Sequence, residues 1–185
     1  MRFPVVTARL IVRKAREEDQ EAYFQLRNSP YILRYNAMEE ASREESDRQV
    51  QEDLLSDRAF YLEDRKTGTL VGAVWLSKDR LRHGVPSTTL EYFLGESFAG
   101  QGLMTEALRS LLPYAFEVLQ VEVVSARVFS GNRGSERVLE KLGFVKEGTL
   151  RRAVKGYGGI IYDDVVFSLL REEWAGTETL HGKEA

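Results

Sequence analysis

The stretch that most constrains this chain is Phe98-Ala99-Gly100-Gln101-Gly102-Leu103-Met104-Thr105-Glu106-Ala107. Small, flexible residues open it, and an amphipathic helical pattern follows directly. Met104, Ala107, Leu108, Leu111, Leu112 and Ala115 recur at the spacing of one helix face. Just upstream, Thr88-Thr89-Leu90-Glu91-Tyr92-Phe93-Leu94 is rich in β-branched and aromatic side chains, which predicts a strand. The order is therefore strand, glycine turn, helix. The first turn of a helix carries N–H groups without carbonyl partners and the positive end of the macrodipole, and glycine lets an anion come close to the backbone. Together these features predict a phosphate cradle.

The ligand is narrowed by what the stretch lacks. A P-loop needs Lys and then Ser or Thr after its last glycine, where Leu103 and Met104 stand, so a nucleoside triphosphate is disfavoured. The dinucleotide fingerprint needs a third glycine at the position of Thr105 and belongs early in a βαβ chain, not past its midpoint. On the glycines alone, an ordinary turn accounts for the pattern as well as a cradle does.

Two blocks extend the reading. Gly100-Gln101-Gly102-Leu103-Met104-Thr105-Glu106-Ala107 resembles the pyrophosphate-binding segment of the GCN5-related N-acetyltransferases (GNAT), and in particular their ribosomal-protein N-terminal (Rim-type) branch. Asn132-Arg133-Gly134-Ser135, running on to Lys141-Leu142-Gly143-Phe144, is similar to that branch's Asn-x-x-Ser block. Thr7-Ala8-Arg9-Leu10, Glu147-Gly148-Thr149-Leu150-Arg151 and Asp163-Asp164-Val165-Val166 are weaker echoes in the family's order, spanning residues 7 to 172.

Composition sets the outer bounds. The chain has 185 residues, 43% hydrophobic and 30% charged, which suits one globular domain. It has no cysteine, which excludes disulfides, zinc–thiolate sites and thiol nucleophiles and suits a reducing cytoplasm. Two histidines, His83 and His181, make a histidine metal cluster improbable, so no metal is expected. No apolar run approaches a membrane span, and a net charge of −3 argues against broad nucleic-acid binding. Acids dominate from Asn36 to Asp64 and bases from Ser125 to Lys155. These are either two solvated faces or lobes that attract a cationic substrate and an anionic cofactor.

Read in order, Leu10–Val12 predicts a first strand and Glu18–Arg27 a helix broken by Asn28-Ser29-Pro30. Glu44–Leu55 predicts a second helix with a thin inner face of Val50, Leu54 and Leu55, and so weak, mobile docking. Ala59–Glu63 and Leu70–Leu76 form a hairpin, Leu81–Ser87 a loop holding a solvated His83, and Val121–Val128 a strong strand. Pro113 predicts a bend in the cradle helix. Ser135–Leu142 predicts a short helix, and Phe144–Val154 with Ile160–Leu170 a closing antiparallel pair. The fold expected is α/β (α+β), a single domain over 1–174 with a polar tail over 175–185. Its central sheet is mixed and mostly antiparallel, with about seven strands and about four flanking helices.

The resemblance implies that the fourth and fifth strands, Thr88–Leu94 and Val121–Val128, splay apart below the cradle and admit the pantetheine arm of acetyl-CoA like an added strand. It implies Phe93 and Leu94 as backbone partners of that arm, and Gly100, Gln101, Gly102, Leu103, Met104 and Thr105 as the pyrophosphate site. The family prefers Arg or Gln where Ala99 stands, and Gly or Ala where Met104 stands. By the same resemblance Asn132 bonds pantetheine, and Ser135 sits near the sulfur as general acid or thiolate stabiliser. Both residues are also good helix caps, and one role does not exclude the other.

The base is less defined. The glutamate that the Rim-type branch can carry falls at Val154 here. Glu91 replaces it as candidate base, with a salt bridge to a neighbouring strand as the alternative. Asp163 and Asp164 are candidates to bind the incoming amine. A protein α-amine, with pKa near ~8 against ~10.4 for lysine, is easier to deprotonate and is favoured as acceptor. The reading is an acetyl-CoA-dependent N-acetyltransferase working by direct attack, monomeric or homodimeric, with a small amine (polyamine, amino acid or antibiotic) as alternative acceptor. The alternative of another class is a non-catalytic acyl-CoA sensor.

Overall fold

Alternating side chains give the central sheet two buried faces, and helices cover both. The computed structural model describes residues 1–36 and 39–174. Its sheet has eight strands: β1 (Val5–Val6), β2 (Leu10–Arg13), β3 (Ala59–Asp64), β4 (Leu70–Lys78), β5 (Ser87–Leu94), β6 (Val123–Phe129), β7 (Val145–Lys155) and β8 (Ile161–Leu170). Their order is β1-β2-β3-β4-β5-β6-β8-β7, antiparallel throughout except for β5 against β6. The helices that bear on the site are α1 (Gln20–Arg27), α2 (Pro30–Leu33), α3 (Arg43–Leu55), α4 (Leu103–Pro113) and α5 (Arg133–Lys141).

On one face, Leu90, Val124, Ala126 and Phe167 pack with Leu108 and Leu111 of α4 and Leu139 of α5 in the larger core. On the other, Tyr61, Ala73 and Phe93 pack with Tyr23 of α1 and Val50 of α3. The helical face read from the sequence is buried throughout: Met104, Ala107, Leu108, Leu111, Leu112 and Ala115 are all at most 5% exposed. Each buried leucine contributes about 1.5–3 kcal/mol, which fixes α4 against the sheet. Pro113 has no N–H to give, and the chain passes after it into a single π turn, Tyr114–Val118, closed by Leu119 N–H donating to the Tyr114 carbonyl at 3.0 Å.

The structure departs from the sequence reading in three places. Val5–Val6 adds an edge strand, so the fourth and fifth strands of the sequence count are β5 and β6. Ser29 and Pro30 end one helix but start another: Ser29 caps α2 and Pro30 occupies its first turn, where no N–H is missed. Leu55, expected on the inner face of α3, is 92% exposed. That face instead buries Ser46, Val50 and Asp53, and Asp53 accepts hydrogen bonds from Tyr61 Oη and Trp75 Nε1, each at 3.1 Å. The helix therefore docks through polar bonds where apolar area is scarce. The tail expected over 175–185 lies outside the described residues.

Candidate functional site

β5 and β6 pair over four rungs only, from Ser87 with Val123 to Leu90 with Ala126. Beyond that, β5 runs on to Leu94 against β4, and β6 to Phe129 against β8. The inner edges of Glu91–Leu94 and Arg127–Phe129 are left without a ladder between them. Such edges invite an added strand-like segment. The parting leads to the start of α4, because Gly95 and one 3-10 turn, Glu96–Phe98, carry the chain from β5 to Gly100.

The start of α4 has the geometry an anion needs. Gly100 and Gly102 have φ of 73° and 79°, a left-handed conformation that other residues adopt at a cost. Gly102 is the N-cap, and the Glu106 N–H donates to its carbonyl at 3.0 Å. Among the described residues, no protein acceptor takes the N–H groups of residues 101–105. Gln101 and Gly102 are exposed, while Leu103, Met104 and Thr105 turn their side chains into the core and leave their amides at the helix end.

A tether not legible as such in the sequence holds this turn. Glu106 accepts from Thr7 Oγ1 at 2.6 Å and from the Arg9 N–H at 2.8 Å, and pairs with the Arg9 guanidinium at 2.8 Å. Arg9 Nη1 also donates to the Gln101 carbonyl at 2.8 Å. Burial works against the Glu106 carboxylate, but the bonds from Thr7 and Arg9 prevail and hold its pKa below the ordinary glutamate value. Thr7-Ala8-Arg9-Leu10 is thus the clamp on the cradle.

On the same side of the sheet as α4, Asn132 caps α5, its Oδ1 accepting from the Ser135 N–H at 3.2 Å. The capping role is real, and it leaves the Asn132 amide N–H₂ available. The half-buried Ser135 has no protein partner for its hydroxyl among the described residues. Tyr92, on the second unpaired rung of β5, approaches the Ser135 carbonyl at 3.5 Å. Burial pushes its phenol up to about 12, so it stays a proton-bearing donor at neutral pH.

On the opposite face, Glu91 is exposed at the first unpaired rung of β5, and Ser77 Oγ donates to its Oε2 at 3.0 Å. Among the described residues it forms no ion pair, so the cross-strand salt bridge is absent. Trp75, Phe93 and Tyr23 cluster beside it, with Trp75 and Phe93 ring centroids 5.5 Å apart. Arg127 of β6 faces the same way and is held by Asp164 of β8. Beyond it, Phe129 stacks on Tyr162 at 5.1 Å, and Tyr162 and Tyr35 tie the α2 segment to this rim through the carbonyls of Arg34 and Gly131.

Asp163 and Asp164 do not form an open carboxylate pair. Asp164 is fully buried against Arg127, and Asp163 Oδ1 accepts the Arg152 N–H at 2.8 Å. Sequence reasoning missed Arg127 because only the pairing of β6 with β8 sets it beside Asp164. His83 is exposed in its loop. Glu39, Glu40, Glu45 and Glu52 line a shallow depression of about 360 Å³ with Arg27 and Arg48, between α1 and α3. Among the described residues no group of acids and histidines is placed to hold a metal, and no helix is long and apolar enough to cross a membrane.

Comparison with known proteins agrees with this geometry. Residues 9–145 match the family model described as Acetyltransferase (GNAT) domain. YjcK of Bacillus subtilis (strain 168) is 39% identical over 104 residues, 56% of each chain. YdaF of the same organism is 39% identical over 85 residues, 46% of each chain. Both carry provisional names, the first as an N-acetyltransferase and the second as a ribosomal N-acetyltransferase, and the matches span about half the length of these relatives. Spermidine N-acetyltransferase from Vibrio cholerae, solved with CoA and spermine, superposes with a TM-score of 0.78 at 22% identity, covering 91% of this chain and 99% of that one, a likeness of fold. The chain belongs to the GNAT family and is an acetyltransferase domain of that fold.

Proposed function

We propose that this protein is an acetyl-CoA-dependent N-acetyltransferase of the ribosomal-protein N-terminal (Rim-type) branch, acting in the cytoplasm on a protein N-terminal α-amine. The observation that carries the coenzyme is the set of N–H groups at 101–105, which no protein acceptor takes, opening onto parted strands. In this reading Gly100 and Gly102 let a pyrophosphate settle on the amides of Gln101, Gly102, Leu103, Met104 and Thr105. The backbone of Phe93 and Leu94 pairs with the pantetheine arm, and the Asn132 side-chain amide donates to it. The YdaF likeness supports the protein acceptor.

The reaction is nucleophilic attack by a neutral amine on a thioester carbonyl. Glu91 takes the ammonium proton, directly or through water, so that the nitrogen lone pair is free. A β5 backbone N–H stabilises the oxyanion, the carbon–sulfur bond breaks, and the extra proton on the attacking nitrogen passes to the departing sulfur, whose thiolate the Ser135 hydroxyl stabilises by a hydrogen bond. The products are an amide and coenzyme A. No acyl-enzyme forms on a cysteine, because the chain has none.

The test is thiol release from acetyl-CoA with peptides beginning Ser, Ala or Met, beside spermidine, free amino acids and aminoglycosides. We expect peptides to be acetylated fastest. Glu91→Gln should lower kcat by roughly 100-fold or more with coenzyme A affinity unchanged, and Ser135→Ala should also lower kcat. Faster transfer to spermidine would move the protein to the small-amine reading. Thiol release with none of these amines, despite tight coenzyme A binding, would make it a sensor.

A further inference from the structure

Across the parting from Glu91 stands Arg127. Leu90 and Ala126 form the last paired rung, so Glu91 and Arg127 are the next residues on either side. Ala126 and Val128 are buried in the larger core, which places Arg127 on the opposite face, the one on which Glu91 is exposed. Past the Leu90–Ala126 rung no ladder joins the two strands.

Arg127 is held, not free to swing. Its Nε and Nη2 both engage Asp164 Oδ2. The Asp164 side chain is 0% exposed and its Oδ1 is buried without a hydrogen-bond partner, whereas the Arg127 side chain is 41% exposed. A carboxylate so placed is expensive and out of reach of any substrate. Its service is to fix the guanidinium plane, leaving Nη1 as a donor with no acceptor among the described residues. Phe129 and Tyr162 stack just beyond. A fixed guanidinium edge suits an acyl oxygen or carboxylate, and repels a second ammonium.

We infer that Arg127 is a specificity-determining residue: it receives the carbonyl or carboxylate oxygen next to the acceptor amine while Glu91 receives the amine, selecting α-amines that carry an adjacent acyl oxygen over polyamines. The inference rests on the acetyl-transfer reading above.

Equilibrium binding to the coenzyme A-loaded protein tests it without turnover. The probes are a serine-initiated tripeptide amide, free serine and spermidine, measured by calorimetry, with KM and kcat for peptide and spermidine alongside. Arg127→Gln should weaken the tripeptide by about 10- to 100-fold, leave coenzyme A affinity unchanged and improve spermidine relative to the tripeptide. Arg127→Lys should restore part of the loss. Because Arg127→Gln strands a buried carboxylate, Arg127→Gln/Asp164→Asn is measured too and should show the same loss with better folding. Free serine binding better than the tripeptide assigns the site to a free carboxylate, and the reverse to a peptide carbonyl. Tripeptide affinity unchanged in the double variant, or wild-type preference for spermidine, overturns the inference. Absence of turnover by the wild-type protein with this binding pattern intact overturns the acetyl-transfer reading and leaves Arg127 standing.

Discussion

Glu106, in the first turn of α4, is joined to Arg9 of the loop before β2 by a 2.8 Å ion pair and by the Arg9 backbone N–H. Residues nearly a hundred positions apart thereby set the angle at which the cradle amides emerge. Glu106→Ala removes these bonds and that from Thr7. We expect a stability loss of about 1–3 kcal/mol, most of it from Thr7 and the Arg9 N–H, since Arg9 is half exposed. The coenzyme A Kd should rise by roughly tenfold, and calorimetry reads both.

The same residue gives a pH signature. Its carboxyl titrates lower in the folded protein than in the unfolded chain. The contribution is therefore complete above the ordinary glutamate value of 4.5 and is lost as pH falls through the folded value. In thermal denaturation from pH 7 to pH 3, Glu106→Gln should lie below wild type at pH 7 and approach it at the acid end.

Gly102→Ala puts a Cβ on a residue at φ 79°, with Arg9 Nη2 3.7 Å away. Space is adequate and the backbone is not, so the cost is the left-handed strain of about 1–2 kcal/mol. A lower Tm together with weaker coenzyme A binding is expected. An unchanged affinity would mean that the amides of this turn do not carry the phosphates.

Gly72 lies under the backbone that the pantetheine arm would use. A Cβ there would stand 2.4 Å from the Phe93 carbonyl oxygen, so β4 and β5 must separate. Gly72→Ala should raise the KM for acetyl-CoA more than that for the acceptor, because it displaces Phe93 and Leu94 and leaves Arg127 in place.

Asp53 behaves in the opposite sense to Glu106. Burial outweighs the bonds from Trp75, Gln49 and Tyr61, and its pKa is raised. The folded protein then binds this proton more tightly than the unfolded chain, so stability declines as pH rises through the folded value. An asparagine keeps an acceptor for Trp75 and Gln49 and can donate to Tyr61 Oη. Asp53→Asn should be at least as stable as wild type at pH 7, with the difference vanishing in acid. Asp53→Ala leaves buried donors unpaired and should cost about 1–3 kcal/mol, read by denaturant unfolding.

Much of this was legible in the chain, for physical reasons. The six apolar residues from Met104 to Ala115 announce α4 because helical period and burial coincide there. The strand over Thr88–Leu94 shows itself by its β-branched and aromatic content. Val5–Val6 carries too little pattern to show period 2, and the inner face of α3 is polar, so hydropathy misplaced Leu55. The clamp of Arg9 on Glu106 and the pinning of Arg127 by Asp164 are contacts between distant segments, which no local period encodes.

The lone parallel pairing has a mechanical consequence. β1 to β5 form one antiparallel body and β6, β8 and β7 another, with a seam of four rungs between their strands. In the proposed mode of binding, a peptide-like arm laid against β5 would lengthen that seam, so that the cosubstrate would act as a splint as well as a reagent. Release of the spent coenzyme would then loosen the join between the halves at each proposed turnover.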